Sequence, residues 1–504
     1  MKNVLCFLAL AGLFAHARAD TPPDPAAAPP LPQPKPELEL NIRAAEPPEH
    51  AEEQTPPDAE GSRSRVLEVD ETVLLADTEL LSRAMYSAVV GMNVAGIKML
   101  LPIYEKWPQH DKELAMFGRA LVLQNDGRAA EAVKLYRILI AAQPGSPVIR
   151  LQLAQALFED QQNEAAADQF DRLKTERLPE AVVQRIEAYR EALRKRDSWQ
   201  LYAGVNFARE QNINQAPRQQ RLGTQLEGAE CDQYRQRINE PDNDCFIGWR
   251  FNPPIDTTGL SYQAGAEKKQ SLKNGFYAKA GADVWGKAYR SYSRYNDASA
   301  RLSAGLGRAG QRNDTGATVF HERRFYGNDA YSYTNGVRLY WNRWWQPRLQ
   351  SLAALETGRL NNLRRPYSDT QHRLASASLV FHRNARQYWL VGQDFYQERN
   401  RDDRSDNFNR FGLRAAWGQE WKGGFSSRVQ AGAAKRVYYT PSLFSDNENR
   451  RDKEWNASVS LWHRAVHFGG ITPRLTFGHN GTSSNDVYYG YRKNRMFIEM
   501  GKTF

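Results

Sequence analysis

A change of hydrophobic period along the chain predicts an α-helical solenoid followed by a 14-stranded antiparallel transmembrane β-barrel. Apolar residues recur at helical spacing over residues 67–196 and alternate with polar ones over residues 197–504. Short turns and long polar stretches then take turns along the second part, which ends on an aromatic residue, Phe504. The composition agrees: 504 residues include 12 Trp, 23 Tyr and 21 Phe, yet mean hydropathy is −0.69. No apolar run approaches the roughly 20 residues of a spanning helix. A helical inner-membrane protein is therefore excluded.

The order of elements begins with residues 1–19, which read as a secretory signal. Lys2 supplies the positive start, residues 4–14 the apolar stretch, and Ala17-Arg-Ala19 a small-x-small cleavage site. Cys6 lies inside the apolar stretch and no cysteine stands directly after the cleavage site, which argues against a lipid anchor. A net charge of +10 would by itself point to nucleic acid, but export removes that partner. Residues 20–66 read as a disordered tether. Twelve of the 25 prolines fall there, and residues 37–60 add eight acidic side chains, too little apolar surface to offset the entropy of ordering.

Residues 67–196 read as a tetratricopeptide-like domain. A period of 34 residues superposes Ala120 on Ala154, Leu123 on Leu157, Ala132 on Ala166, Tyr136 on Phe170 and Leu139 on Leu173. Small residues let paired helices approach and a large one fills the groove between them. Gly127 stands at the expected turn, Pro144 closes the first repeat, and residues 96–108 form a degraded upstream copy. Residues 180–193 would cap the array. The concave face should carry Phe117, Gln124, Leu151, Gln155 and Glu159 as a groove for an extended cargo segment or its chaperone.

From Trp199 onward the period is two. Phe276, Ala278, Ala280, Ala282 and Val284 share one face; Phe411, Leu413, Ala415 and Trp417 share another, with Arg410 and Arg414 turned away. Six short turns and seven long loops, the longest over residues 212–256, count out fourteen strands. Closure leaves no unpaired edge in lipid, and a soluble β-sandwich would not alternate its turn lengths so regularly. Trp341, Trp344, Trp345, Trp417, Trp421, Tyr438 and Tyr439 sit near strand ends, where interfacial girdles lie. Met496, Ile498, Met500 and Phe504 form the C-terminal strand signal of such barrels. The mature chain keeps two cysteines, Cys231 and Cys245, an even pair expected to be oxidised to each other.

Catalytic patterns fail on context. Gly305-Leu-Gly-Arg-Ala-Gly310 matches a dinucleotide fingerprint, but it sits in an alternating strand with no helix after it. His463 and His467 would be about 13 Å apart on a strand. His321-Glu322 and His382 are the candidates for a strand-end hydrolase, and neither belongs to a nucleophile motif. No enzyme, cofactor or metal is expected.

A helical platform ahead of a barrel favours directed transport over passive diffusion. The stretches Asn212-Ile-Asn-Gln-Ala-Pro217, Phe320-His-Glu-Arg-Arg324, Asn407-Phe-Asn-Arg-Phe411 and Ser460-Leu-Trp-His-Arg464, with residues 80–90, 162–174 and 326–335, resemble the surface lipoprotein assembly modulator (Slam) family over residues 67–504. The cysteine-bearing stretch, residues 222–256, has no match to that pattern. The resemblance implies an outer-membrane translocator that delivers transferrin-, factor H- or haemoglobin-binding lipoproteins to the cell surface, with its helical domain in the periplasm. It implies no catalytic residues. Partners would be lipoprotein cargo, a periplasmic chaperone and outer-membrane lipid, with the chain a monomer. Polysaccharide export is the alternative, against which the short repeat array and small barrel count; a plain pore or receptor is a third. A fourteen-strand lumen is too narrow for a folded domain, whose radius of gyration is about 13 Å at 100 residues. Cargo should therefore cross unfolded, with its acyl chains leaving sideways between the first strand (199–209) and the last (487–504). Gly204 and Gly490 are the candidate weak points of that seam.

Overall fold

The computed structural model describes residues 71–174, 176 and 178–503. The signal and tether expected over residues 1–66 lie outside the described residues, as does Phe504.

The helices are α1 (Glu71–Ala76), α2 (Thr78–Val90), α3 (Val94–Tyr104), α4 (Lys112–Asn125), α5 (Ala129–Ala142), α6 (Pro147–Glu159), α7 (Asn163–Leu173) and α8 (Glu180–Arg196). Their starts are written locally. Asp77, Asn93 and Asp111 accept from the backbone N–H of Leu80, Gly96 and Leu114, and Ser146 caps a helix opened by Pro147, satisfying donors with no partner inside the helix. The 34-residue register holds. Ala120, Ala132, Tyr136, Ala154, Ala166, Phe170 and Leu173 are all 0% exposed, with α4–α5 and α6–α7 as successive pairs and α2–α3 the upstream copy. The turn needs a left-handed residue, and Gly127 supplies it at φ 71°; one period on, Gln161 adopts φ 61° without glycine's freedom. Helix α8 closes the stack, with Tyr189 stacked on Phe170 at 5.1 Å and Arg196 over the Phe158 ring at 3.7 Å.

The barrel strands are β1 (Trp199–Glu210), β4 (Thr257–Ser271), β5 (Phe276–Tyr289), β6 (Asp297–Ala309), β7 (Asn313–Tyr326), β8 (Asp329–Gln346), β9 (Leu349–Asn362), β10 (Thr370–Asn384), β11 (Gln387–Asn400), β12 (Phe408–Glu420), β13 (Phe425–Pro441), β14 (Asn449–His463), β15 (Arg474–Ser484) and β16 (Tyr491–Thr503). Each pairs antiparallel with its neighbours, and β16 returns to β1 to close the fourteen. Between β1 and β4 an insertion carries the hairpin β2 (Arg221–Gln225) and β3 (Phe246–Arg250) around helix α9 (Gly228–Ile238).

Turn lengths depart from strict alternation in two places. The stretch at Gly327 and Asn328, expected as a long loop, is a two-residue turn with φ 61° and 71°, the primed geometry that matches strand twist. Gly469 and Gly470, expected as a tight turn, lie within a longer connection bridged by Phe468 and Ile471. The last strand begins at Tyr491 rather than 487, because residues 487–489 form a 3₁₀ turn capped by Asp486.

Facing follows the alternation. Phe411 and Leu413 point outward, 49% and 52% exposed, while Arg410 and Arg414 turn inward to Asp394. Met496 and Ile498 lie on the outward side of β16, opposite Arg209 and Phe207 of β1, with Met500 opposite Val205. Two residues expected in the girdle turn inward. Trp344 is 8% exposed and stacks on His382, and Tyr438 is 4% exposed against Phe408. Tyr438 shares the parity of inward Arg436, and Trp344 that of inward Arg338. Trp341, Trp345, Trp417 and Trp421 do cluster at one rim, in edge contacts of 6.3 and 6.0 Å.

Candidate functional site

The expected docking groove is not an open one. Phe117 is 9% exposed and packs edge-on against Tyr136, and Gln155 is 7% exposed; both are spent on packing within the helix stack. Leu151 is half-buried against the same core. Gln124 and Glu159 form a polar chain instead: the Tyr136 hydroxyl donates to Gln124 Oε1 at 3.1 Å, and Gln124 Nε2 donates to Glu159 Oε1 at 2.9 Å. Glu159 Oε2 is buried without a hydrogen-bond partner. Burial pushes its carboxyl up to about 7, because desolvation penalises the charged form. Repeat spacing marks which residues share a helix face, but not how closely the next helix covers it.

Residues with no signal in the repeat pattern join the two parts. The turns between paired helices rest on short turns of the barrel. Arg312 Nη2, between β6 and β7, donates to the carbonyl of Asp126 at 2.9 Å, and Gln311 Oε1 accepts from Ala129 N at 3.1 Å. A Cβ at Gly127 would collide with the Arg312 guanidinium. One repeat further on, Asn163 Nδ2 donates to Ser271 Oγ at the end of β4, whose hydroxyl donates to Asp197 Oδ1 at 2.6 Å. Arg196 Nη1 donates to Asn163 Oδ1 at 2.8 Å. Equivalent points of two successive repeats thus bear on the short-turn end of the barrel.

The inner wall of the lumen is lined by ion pairs between nearby strands. Arg301 meets Glu322 at 2.9 Å, Arg338 meets Glu356 at 3.0 Å, Arg410 bridges Asp394 at 2.6 Å and Glu454 at 2.8 Å, and Arg436 also reaches Glu454 at 2.7 Å. Leu374, Tyr396, Phe408 and Tyr438 form an inward apolar cluster. The hydrolase candidates do not assemble: Glu322 faces Arg301 in the lumen, whereas the exposed His321 bonds Asn335. His463 reaches the Gly423 carbonyl and His467 reaches Thr472.

The β1–β16 seam runs from Tyr202↔Thr503 to Glu210↔Arg495. Trp199, Gln200 and Leu201 pair with β4. Gly204 does lie in the seam, opposite Gly501. Gly490 does not: it precedes β16, and its carbonyl accepts from Arg218 N at 2.8 Å. The insertion fastens the long-loop end. Asn212, at φ 51°, exchanges hydrogen bonds with Ala216 and donates to the Arg492 carbonyl at 3.2 Å. A disulfide joins Cys231 to Cys245, while Trp249 and Phe251 pack on Phe444 at 5.4 and 5.6 Å.

A closed, even-stranded barrel with an apolar exterior is an outer-membrane architecture. The family model described as surface lipoprotein assembly modifier matches residues 199–504, and the model of that family's N-terminal TPR repeats matches residues 67–170. Surface lipoprotein assembly modifier 1 of Neisseria meningitidis is 54% identical, covering 88% of this chain and 86% of its own length. The modifier of Moraxella catarrhalis is 42% identical over 90% and 84%, and the hemophilin secretion modulator of Acinetobacter baumannii 24% identical over 84% and 86%. Among solved structures, a FadL homologue of Pseudomonas aeruginosa aligns with 61% of this chain and 90% of its own at a TM-score of 0.35 and 10% identity. The chain belongs to the surface lipoprotein assembly modifier family.

Proposed function

We propose that the protein is a non-enzymatic translocator that takes lipoproteins from the periplasm and delivers them to the cell surface. The observation that carries this reading is the seating of two successive helical repeats on the short-turn end of the barrel. In this reading the short turns and the helical domain face the periplasm, and cargo of the transferrin-, factor H- or haemoglobin-binding class is handed on by a chaperone. Relatives named for surface lipoprotein assembly and for hemophilin secretion support it. The polypeptide passes unfolded, since a fourteen-strand lumen lined by inward side chains is too narrow for a folded domain. The acyl chains stay in the bilayer, because each CH₂ prefers an apolar setting by about 0.8 kcal/mol, and leave through the β1–β16 seam. The working unit is a monomer.

Co-expression with a candidate lipoprotein and protease shaving of intact cells tests delivery. Pairing Phe207→Cys with Ile498→Cys, two positions opposed in the register, tests the exit. Oxidation should stop surface display while the barrel stays folded and inserted. Normal display from locked barrels excludes the seam.

A further inference from the structure

The inward arginines described above are matched to carboxylates. One stretch of wall departs from that pattern. Arg428 on β13, Arg474 on β15 and Arg495 on β16 line one cavity of about 160 Å³, and none of the three forms an ion pair among the described residues.

The register explains the cavity's shape. Across β13 to β16 one row reads Arg428, Ser460, Thr476, Phe497, and the next reads Gln430, Ser458, Gly478, Arg495. Small residues therefore form a floor, with Arg428 and Arg495 at opposite edges, three strands or about 14 Å apart at the backbone. Arg474 closes the end toward the short turns.

The hydrogen-bond and ring partners these arginines do have are neutral, and Glu210, which faces Arg495 across the β1–β16 pair, is already held by Lys287 and Lys493. Arg474 lies over the Trp462 ring at 4.8 Å. Arg428 donates to the side-chain oxygen of Gln430. Arg495 Nε is buried with no acceptor. Glu499, the one carboxylate of the lining, accepts from Thr476 Oγ1 at 3.2 Å. Three guanidinium groups thus stand against one carboxylate in the lining, a local excess of positive charge.

We propose that this concavity binds a single phosphate-type oxyanion. A tetrahedral oxyanion accepts several donors at once: the planar guanidinium fork suits phosphate, and Ser458 and Ser460 add hydroxyl donors from the floor. Free phosphate and a phospholipid headgroup share this chemistry. Ser460 lies three residues from the short-turn end of β14, roughly 10 Å along the strand, so a free ion reaches the site through that mouth, whereas a headgroup reaches it only where lipid enters the lumen at the parted seam. Only the headgroup route rests on the exit proposed above. An oxyanion here ties β16 to the wall of β13 and β15, so that parting falls on the β1 side.

Calorimetric titration of the detergent-purified full chain, at ionic strength fixed with chloride, tests the site. Inorganic phosphate or dihexanoyl phosphatidylglycerol should bind saturably with one-to-one stoichiometry, at least tenfold more weakly to R428Q/R495Q. Gly478→Val provides a second variant that keeps every charge. The nearest atom to a Cβ there is Arg495 Nε at 3.8 Å, so the barrel accepts the side chain while the floor is filled, and binding should again fall tenfold. Tighter binding of the lipid assigns a headgroup, and tighter binding of inorganic phosphate assigns the free ion. Absence of saturable binding by both probes, or equal binding by the parent and both variants, overturns the proposal.

Discussion

Tyr136 and Arg436 are both inward-pointing, 0% and 6% exposed, yet they meet opposite surroundings. Tyr136 packs edge-on against Phe117 within a continuous apolar core. Arg436 meets Glu454 at 2.7 Å and lies over the Phe408 ring at 4.7 Å. The barrel's large apolar side chains face the other way: Val391 is 62% exposed and Leu306 63%. The solvent outside explains the inversion. Helices in water hide apolar surface from it, whereas strands in lipid present that surface outward and must satisfy every polar group within the barrel.

The largest effect expected from breaking this contrast is in the helical core. Phe170→Ala or Tyr136→Ala should cost about 3–5 kcal/mol, a large share of a domain's margin. Hydrogen exchange on the full chain should show residues 129–173 losing protection while the barrel strands keep theirs. Unchanged protection of those helices would refute the repeat register.

The outward face is the next place to press. Leu413→Arg puts a charge on the lipid side of β12 and should destabilise the inserted barrel by about 2–4 kcal/mol if it lies near the bilayer midplane. Urea unfolding in phospholipid bilayers, followed by tryptophan fluorescence, measures it. An unaltered midpoint would mean that this face does not meet hydrocarbon.

The smallest effect sharpens the comparison at one carboxyl. Glu159 titrates at about 7 in the folded helices against 4.5 ordinarily. The folded state therefore holds a proton that the unfolded chain has released. Stability is greatest below about pH 4.5 and falls as pH rises through about 7. Exchange rates across residues 147–159, corrected for intrinsic pH dependence, should show this loss between pH 5 and 8. Glu159→Gln should flatten it, and an equal pH dependence in that variant would remove Glu159 as the cause.

Much of both architectures was legible because each rests on a short-range rule. The 34-residue spacing placed Tyr136 and Phe170 in equivalent slots, and period-two alternation separated Arg410 from Phe411. Parity also applied to Tyr438, and it outranks the nearness to a strand end that suggested a girdle. The groove was read less well. Phe117 and Gln155 do occupy one side of α4 and α6, but whether that side is open depends on how neighbouring helices lean, which no local pattern records. Gly490 was misplaced for a related reason: the start of β16 is set by Asp486 capping a turn and by Arg218 reaching in from the insertion.

What the sequence determined by itself was periodicity: repeat length, strand number, the inward or outward side of most strand residues, and the family through its longer motifs. These follow from side-chain direction along a helix or strand. Only the tertiary structure decided which distant residues meet. The bearing of Arg312 on the Gly127 turn, the fastening of the seam by Asn212, and the gathering of Arg428, Arg474 and Arg495 around a floor of small residues join positions far apart in the chain. Barrel closure and the angle of helix against strand bring them together, and neither is written in the spacing of any one segment.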